Sequence, residues 1–349
     1  MIRILFFIIA FSFILKDVAF AENYAILISA GKATTDDLFN NSEFWYDLIL
    51  AYEDLINNQN YTHDNVFVFY GDGDDWLSSN YNKYKPSYYG WSSIVDFDNK
   101  WSTIKDTLKN YIAPLINNND NLHIRWVVGH GDIISSPDDY SAYWQNRSEA
   151  IAESVIINAF DQISNYTRRK ILWMTCHSGC LAKGNVNFNN SKTTIITSSD
   201  WDEASYPYCP YSSNGYCINN FVDLHAEFNW VITSSLSGID PLGNSYNGDQ
   251  NNDDVISMQE LYNVADTSSV MDSDPQIGDN GSIANKIFIN EDLVLENVDL
   301  SNNYEYWVEN ITIRDFTILN NGNVIFEPNV KIIIEKNFEA KVGCFLEIK

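Results

Sequence analysis

Positive charge is scarce in this chain. Twenty-one lysines and arginines face 47 aspartates and glutamates, leaving a formal charge of −26 at pH 7. A field of that sign repels phosphate backbones, so nucleic acid is excluded as an expected partner. The same field is compatible with calcium binding and with an extracellular surface. Long apolar runs are scarce as well: past residue 21 no segment has the length and apolarity of a membrane span. An even set of cysteines is also missing, since the chain has five. Cys209 and Cys217 flank a turn-rich stretch at 210–216 and can close a small disulfide loop in an oxidising compartment, although sequence does not fix the connectivity. Cys180 pairs with one of them or stays free, and Cys344 lies near the end in another module. Disorder is not expected, because 45% hydrophobic and 14% aromatic residues are ample for packed cores. A length of 349 residues suits one large domain plus an appendage.

The N-terminus carries what an exported chain needs. Arg3 precedes an apolar run at 4–15, and Ala19-Phe20-Ala21 offers a small-x-small cleavage site before Glu22. These are the three regions of a secretory signal peptide, cleaved after Ala21. The mature protein is therefore expected to be secreted, periplasmic or attached to the cell surface.

From residue 22 to 240 apolar strand patterns alternate with helical ones. Strands are expected at 24–29, 66–70, 122–128, 170–175 and 193–197, and helices at 43–57, 98–116, 149–163 and 220–234. Such alternation implies βαβ units, hence an α/β domain with a mostly parallel sheet and helices on both faces. A linker follows at 241–285. From 286 to 349 the character changes to short apolar runs separated by Asn- and Gly-rich turns, which implies a small all-β module. Repeating rungs stacked as a short solenoid fit that spacing.

Within the linker, Asp249, Asn251, Asp253, Val255, Ser257 and Glu260 occupy positions 1, 3, 5, 7, 9 and 12 of an EF-hand-type loop. Oxygen donors at those positions suit a hard cation, so a structural calcium ion is expected there. Asp254 stands where such loops place glycine, and aspartate tolerates a left-handed turn better than most residues. No organic cofactor is expected.

Two buried-strand patterns end on reactive side chains. One runs into Gly129-His130-Gly131-Asp132, the other into Thr175-Cys176-His177-Ser178-Gly179. In open α/β sheets ligands bind outside the carboxyl ends of the strands. There Cys176 can act as a thiolate nucleophile, His130 as its general acid/base, and the Gly131 N–H as an oxyanion donor. His123 lies inside a strand pattern and reads as a packed residue. His177 directly follows Cys176, and neighbouring side chains at a strand end point apart, which favours His130 as the base.

A strand-His-Gly followed 46 positions later by strand-Cys-x-Ser-Gly resembles the caspase/legumain/gingipain superfamily of cysteine peptidases, whose caspase histidine lies about 50 residues upstream of the cysteine. The likeness extends over 24–235 and includes the first strand Tyr24-Ala25-Ile26-Leu27-Ile28-Ser29. It also includes Thr197-Ser198-Ser199-Asp200-Trp201-Asp202-Glu203-Ala204-Ser205-Tyr206, similar to the segment these enzymes place beside the primary specificity pocket. The legumain-like branch is the nearest in pattern. The resemblance implies a caspase-like fold, cysteine endopeptidase activity on peptide or protein substrates, a His130–Cys176 dyad, and substrate binding by Ser198, Ser199, Asp200, Asp202 and Glu203. Met174 stands where legumains carry an acidic residue, and their Arg-His pair after the first strand is absent from 30–37. The P1 preference is thereby left between Asn or Asp and a basic residue. The C-terminal Asn323-Val324-Ile325-Phe326 and Ile332-Ile333-Ile334-Glu335-Lys336-Asn337-Phe338-Glu339-Ala340 are similar to β-rung repeats in secreted Bacteroidetes proteins. A catalytically silent relative serving as a binding or surface module is the alternative expectation.

Overall fold

A computed structural model of the chain describes residues 22–31, 42–76, 82–133, 140–144, 149–183, 188, 190–209, 224–252, 255–284, 292–296, 299–300, 304–306, 310–318, 323–326, 331–340 and 345–348. The expected signal peptide at 1–21 lies outside them. In chain order the elements up to residue 284 are β1 (Asn23–Ser29), α1 (Ser42–Asn57), β2 (Val66–Tyr70), α2 (Trp101–Thr107), β3 (Asn121–Val128), β4 (His130–Ile133), β5 (Tyr140–Trp144) and β6 (Glu149–Ala152). They continue with α3 (Glu153–Phe160), β7 (Arg168–Trp173), α4 (Gly179–Lys183), β8 (Thr193–Thr197), β9 (Pro207–Tyr208), β10 (His225–Ala226), α5 (Glu227–Ser237), α6 (Met258–Thr267) and β11 (Gln276–Gly278).

Six strands form the central sheet in the order β11-β8-β7-β3-β1-β2. All neighbours run parallel except β11, which pairs antiparallel with β8 at one edge. Strands β1, β2, β3 and β8 are apolar or β-branched for most of their length, β7 is apolar in its second half after Arg168-Arg169-Lys170, and nearly every residue of the five is buried, as a sheet covered on both faces demands.

The alternation along β3 shows both coverings. Arg125 reaches α5, its Nη2 donating to Asn229 Oδ1 at 3.2 Å and Thr233 Oγ1 at 2.7 Å. Its neighbour Trp126 stacks on Trp173 at 4.3 Å, and Trp173 meets Phe160 of α3 edge-on at 6.2 Å. Successive strand residues point to opposite faces, so α5 and α3 lie on opposite sides of the sheet.

Several expectations need adjustment. The stretch 149–163 is not one helix: 149–152 forms β6, paired antiparallel with β5, and only Glu153–Phe160 is helical. Between His130 and α3 the chain instead builds a three-stranded antiparallel sheet, β4-β5-β6. The helix expected at 98–116 starts at Trp101 and loosens into π-type turns at Leu108–Ile112. The sheet also extends past residue 240. Its edge strand β11 comes from 276–278, while Met258, Leu261 and Ala265 of α6 join the same core.

Beyond 284, the described strands are β12 (Asp292–Glu296), β13 (Asp299–Leu300), β14 (Tyr304–Tyr306), β15 (Asn310–Ile318), β16 (Asn323–Phe326), β17 (Lys331–Ala340) and β18 (Phe345–Ile348). Strands β12, β15 and β17 pair in parallel with Leu293, Ile311 and Ile332 in register, and β14, β16 and β18 pair in parallel as well.

Charge inside the main core has a measurable consequence. Asp54 of α1 is fully buried, accepts from Gln59 Nε2 at 2.6 Å and Asn58 Nδ2 at 3.0 Å, and burial pushes its carboxyl up to about 6. The native state therefore holds this proton more tightly than the unfolded chain, and stability falls as pH rises from about 4 to 6. Relative to Asp54→Asn, the wild type should lose up to about 3 kcal/mol across that window, read from urea midpoints at each pH. Parallel pH curves for the two proteins would remove this assignment.

Candidate active site

β3 and β7 are adjacent and parallel, so their carboxyl ends leave the sheet at one edge. The last registered pair is Trp126 with Trp173, and the Met174 N–H still donates to the Trp126 carbonyl at 3.0 Å. From there β3 turns through Gly129-His130-Gly131 and β7 through Thr175-Cys176. These two turns touch. A Cβ placed on Gly131 would lie 2.1 Å from the Cys176 carbonyl oxygen and 2.9 Å from Thr175 Oγ1, so only glycine permits the approach. His130 is half-buried, and its ring stands edge-on to Phe44 at 5.8 Å. Phe44 is fixed in turn, because its carbonyl accepts from Ser29 Oγ at 2.8 Å at the end of β1.

Cys176 is half-buried and its thiol is free. The Sγ–H points to the Ser205 carbonyl at 3.8 Å. Among the described residues the Cys176 N–H has no acceptor. A chain of hydrogen bonds fixes the Cys176 carbonyl. Trp173 Nε1–H donates to Tyr140 Oη at 3.1 Å, Tyr140 Oη lies 2.7 Å from Thr175 Oγ1, and Thr175 Oγ1 donates to the Cys176 carbonyl at 3.1 Å. An indole can only donate and a carbonyl can only accept, so both ends of the chain set its direction.

On its other side the Thr175–Cys176 peptide rests on serines. Ser198, Ser199 and Ser205 place their hydroxyls 3.1, 3.2 and 3.0 Å from the Thr175 carbonyl. Ser178 Oγ lies 3.2 Å from Ser198 Oγ and 3.3 Å from Ser199 Oγ, closing the cluster. Ser198 and Ser199, expected to bind substrate, thus turn inward beneath Cys176 and are fully buried.

The acidic residues of the same segment divide. Asp200 pairs with Lys183 Nζ at 3.1 Å and accepts from the Trp201 N–H at 2.7 Å. Its backbone packs on Gly179, where an added Cβ would lie 2.8 Å from Asp200. Glu203 accepts from the Asp274 N–H at 2.8 Å. Asp202 is exposed. His177 adopts a left-handed backbone at φ 60°, an uncommon conformation for a residue with a side chain. Its N–H donates to the Glu203 carbonyl at 2.7 Å and its Nδ1–H to the Trp201 carbonyl at 2.9 Å. This ring therefore staples the turn after Cys176 to the 201–203 loop. Tyr140, Thr175, Ser205 and this role of His177 were not apparent from sequence. Their contacts join residues far apart in the chain, and the local signal is limited to the short polar runs at 175–178 and 198–199.

A buried network holds the neighbouring wall. Asp47 of α1 accepts from His225 at 2.6 Å and from the Ala226 N–H at 2.8 Å, while His225 Nε2 meets Tyr84 Oη at 3.0 Å. Glu227 accepts from the Tyr206 N–H at 3.2 Å, the Asp272 N–H at 2.6 Å and the Ser273 hydroxyl. Together they fix the β9–β10 hairpin that follows Ser205. Cys209 at its rim is disulfide-bonded, and Cys180 is buried and outside any disulfide. Cys217 and Cys344 lie outside the described residues.

At the expected calcium loop, Asp253 and Asp254 lie outside the described residues. Glu260 is half-enclosed by donors: Oε1 accepts from the Gln250 and Asn251 N–H groups at 3.1 Å each, and Oε2 from the N–H and hydroxyl of Ser257 at 2.9 Å each. Four donors fill a carboxylate's acceptor positions, so in this arrangement Glu260 closes the loop by hydrogen bonds. A cation would have to take Oε1 in exchange for two backbone N–H groups. Val255 is buried and Ser257 caps α6. Among the described residues no three His, Cys, Asp or Glu side chains gather as metal ligands. No helix among them is long and apolar enough to cross a membrane.

No protein-family model matches the chain, and no curated protein matches it. Among solved structures it is similar to the crystal structure of protein GSU0716 from Geobacter sulfurreducens, at 9% identity and a TM-score of 0.40, over 73% of this chain and 92% of that one. A likeness of that degree assigns neither a fold family nor an activity.

Proposed function

We propose that this chain is an exported cysteine endopeptidase of caspase-like architecture, with Cys176 as nucleophile, His130 as general acid/base and the N–H groups of Cys176 and Gly131 as oxyanion donors. The observation that carries the reading is the contact of the two turns. Gly131 lies against the Cys176 carbonyl so closely that no side chain fits, which brings the His130 turn to a half-buried free thiol whose own N–H is unclaimed among the described residues.

The chemistry follows from the groups present. The Cys176 thiolate adds to the scissile carbonyl carbon, forming a C–S bond while the π pair moves onto oxygen, where N–H donors stabilise it. Collapse expels the amine, which takes its proton from the His130 imidazolium. Water then attacks the thioester, with His130 accepting its proton and Cys176 leaving as thiolate. Asp202 is the exposed carboxylate of the 200–203 segment, whereas Asp200 and Glu203 are engaged within the fold. If P1 is basic, Asp202 is the carboxylate we assign to it, and the choice between a basic residue and Asn or Asp is left to a peptide panel.

A fluorogenic peptide panel varied at P1 among Asn, Asp, Arg and Lys tests the reading. Cleavage of at least one member that is lost in Cys176→Ala supports it. Absence of thiol-dependent cleavage across the panel, with added calcium, leaves the silent binding module as the reading instead.

Calcium belongs to the proposal as a structural ion held by Asp249, Asn251, Asp253, the Val255 carbonyl, Ser257 and Glu260. Because Glu260 must release two N–H groups to bind it, the gain is modest. Millimolar calcium added to chelated protein should raise Tm by roughly 2–5 °C. An unchanged Tm would remove the ion. The strands at 292–348 are read as the short β-rung solenoid, an accessory or surface module, and residues 1–21 as the export signal.

A further inference from the structure

The serine cluster under Thr175 has no place in the dyad chemistry, yet four hydroxyls converge there. Three of them lie 3.0–3.2 Å from a single carbonyl oxygen, that of Thr175. A carbonyl has two acceptor positions, and Ser198 Oγ and Ser205 Oγ stand 2.5 Å apart, so at any moment one of them donates to the other. With Ser199 and one of Ser198 and Ser205 donating to it, the Thr175 C=O holds its full complement of two donors. This carbonyl and the Cys176 N–H belong to the same peptide unit. Hydrogen bonds accepted at C=O draw electron density from the amide and make its N–H a stronger donor, a cooperative effect of about 10–30% per bond. They also lock the plane of the peptide, so the N–H needs no reorientation as charge develops.

We propose that Ser198, Ser199 and Ser205 are positioning residues that polarise and fix the Thr175–Cys176 peptide, so that the Cys176 N–H acts as a strengthened oxyanion donor. The inference rests on the peptidase reading. Ser205 completes the grip, because its carbonyl meets Cys176 Sγ at 3.8 Å while its hydroxyl serves the peptide before the cysteine. The donors lie 23, 24 and 30 residues further along the chain, on the segment after β8, and this placement gives that segment a positioning role apart from substrate contact.

The test compares hydrolysis with a reaction of the same thiol that forms no oxyanion. Removing an oxyanion donor outright costs about 100- to 1,000-fold in kcat. Weakening one should cost less, and Ser198→Ala/Ser205→Ala should lower kcat on a cleaved peptide roughly 5- to 30-fold with KM little changed. Inhibition by the matching peptide aldehyde, whose adduct carries the same oxygen, should weaken in parallel. Alkylation of Cys176 by iodoacetamide should stay within about twofold of wild type, which also shows that the thiol is presented normally. Ser205→Thr, which keeps the hydroxyl, should restore kcat. Unchanged kcat in the double variant overturns the inference, and so does a parallel fall in alkylation, which would mean that the cluster merely holds the cysteine. Wild-type protein without Cys176-dependent hydrolysis overturns the peptidase reading itself, and the inference falls with it.

Discussion

Cys176→Ala should abolish peptide hydrolysis, with kcat/KM falling by at least about 10³-fold, whereas Cys180→Ala should leave it nearly intact. Loss of the nucleophile from a working triad costs on the order of 10⁶ in kcat, and what remains comes from binding and the oxyanion donors. The contrast between the two cysteines follows from placement. Neither cysteine is in a disulfide, but Cys176 is half-buried just past the end of β7 and Cys180 is completely buried in α4. A buried thiol behaves as a small hydrophobe, so its truncation costs packing and no chemistry. His130→Ala should fall nearly as far as Cys176→Ala, and the double variant no further, because the pair acts as one unit. Initial rates on the best P1 substrate, with Tm as a folding control, decide this. Equal losses at Cys176 and Cys180 would point to destabilisation in place of catalysis.

Gly131→Ala carries the second large effect. The added Cβ would lie 2.1 Å from the Cys176 carbonyl oxygen and 3.0 Å from Tyr140 Cε2. The first of these is a backbone atom already gripped by Thr175 Oγ1, so it cannot swing aside as a flexible side chain would. Relief requires the His130 turn and the Cys176 turn to separate by about an ångström, and a misplacement of that size can cost about 10²-fold in rate. Overpacking of this kind typically costs about 1–3 kcal/mol of stability. The expected result is therefore a fall of about 10²-fold or more in kcat/KM together with a Tm lowered by several degrees. A Gly131→Ala enzyme with wild-type kinetics would show that the two turns do not need their contact.

Sequence pattern and structure agree where local signals are strong. Val66–Tyr70 and Thr193–Thr197 are continuous apolar or β-branched runs between turn residues, and both are strands with those bounds. The pattern misleads where tertiary pairing overrides propensity. Glu149-Ala150-Ile151-Ala152 is made of helix formers, yet it pairs with β5 because that hairpin offers it an edge. Strand β11 is three residues long and has no periodicity to detect, so the sheet's extension past 240 was not legible.

The candidate site divides in the same way. His130, Gly131 and Cys176 stand out because each lies just past a buried strand, and parallel pairing of β3 with β7 brings those ends together. The support for them is not local. Thr175 and the serines at 198, 199 and 205 are more than twenty residues apart, and no spacing rule connects a carbonyl to hydroxyls arriving from the next strand. Ser198 and Ser199 attract notice as polar residues after a strand, and that is equally the signature of a substrate contact and of an internal brace.

Intact-protein and peptide mass spectrometry on protein quenched during turnover of a slow peptide ester would capture the covalent intermediate that nucleophilic attack by Cys176 requires. An acyl group should be carried as a thioester on the peptide that contains Cys176, absent from Cys176→Ala and slow to clear in His130→Ala. Turnover without any acyl adduct on Cys176, or with the same adduct in Cys176→Ala, would contradict nucleophilic attack by Cys176.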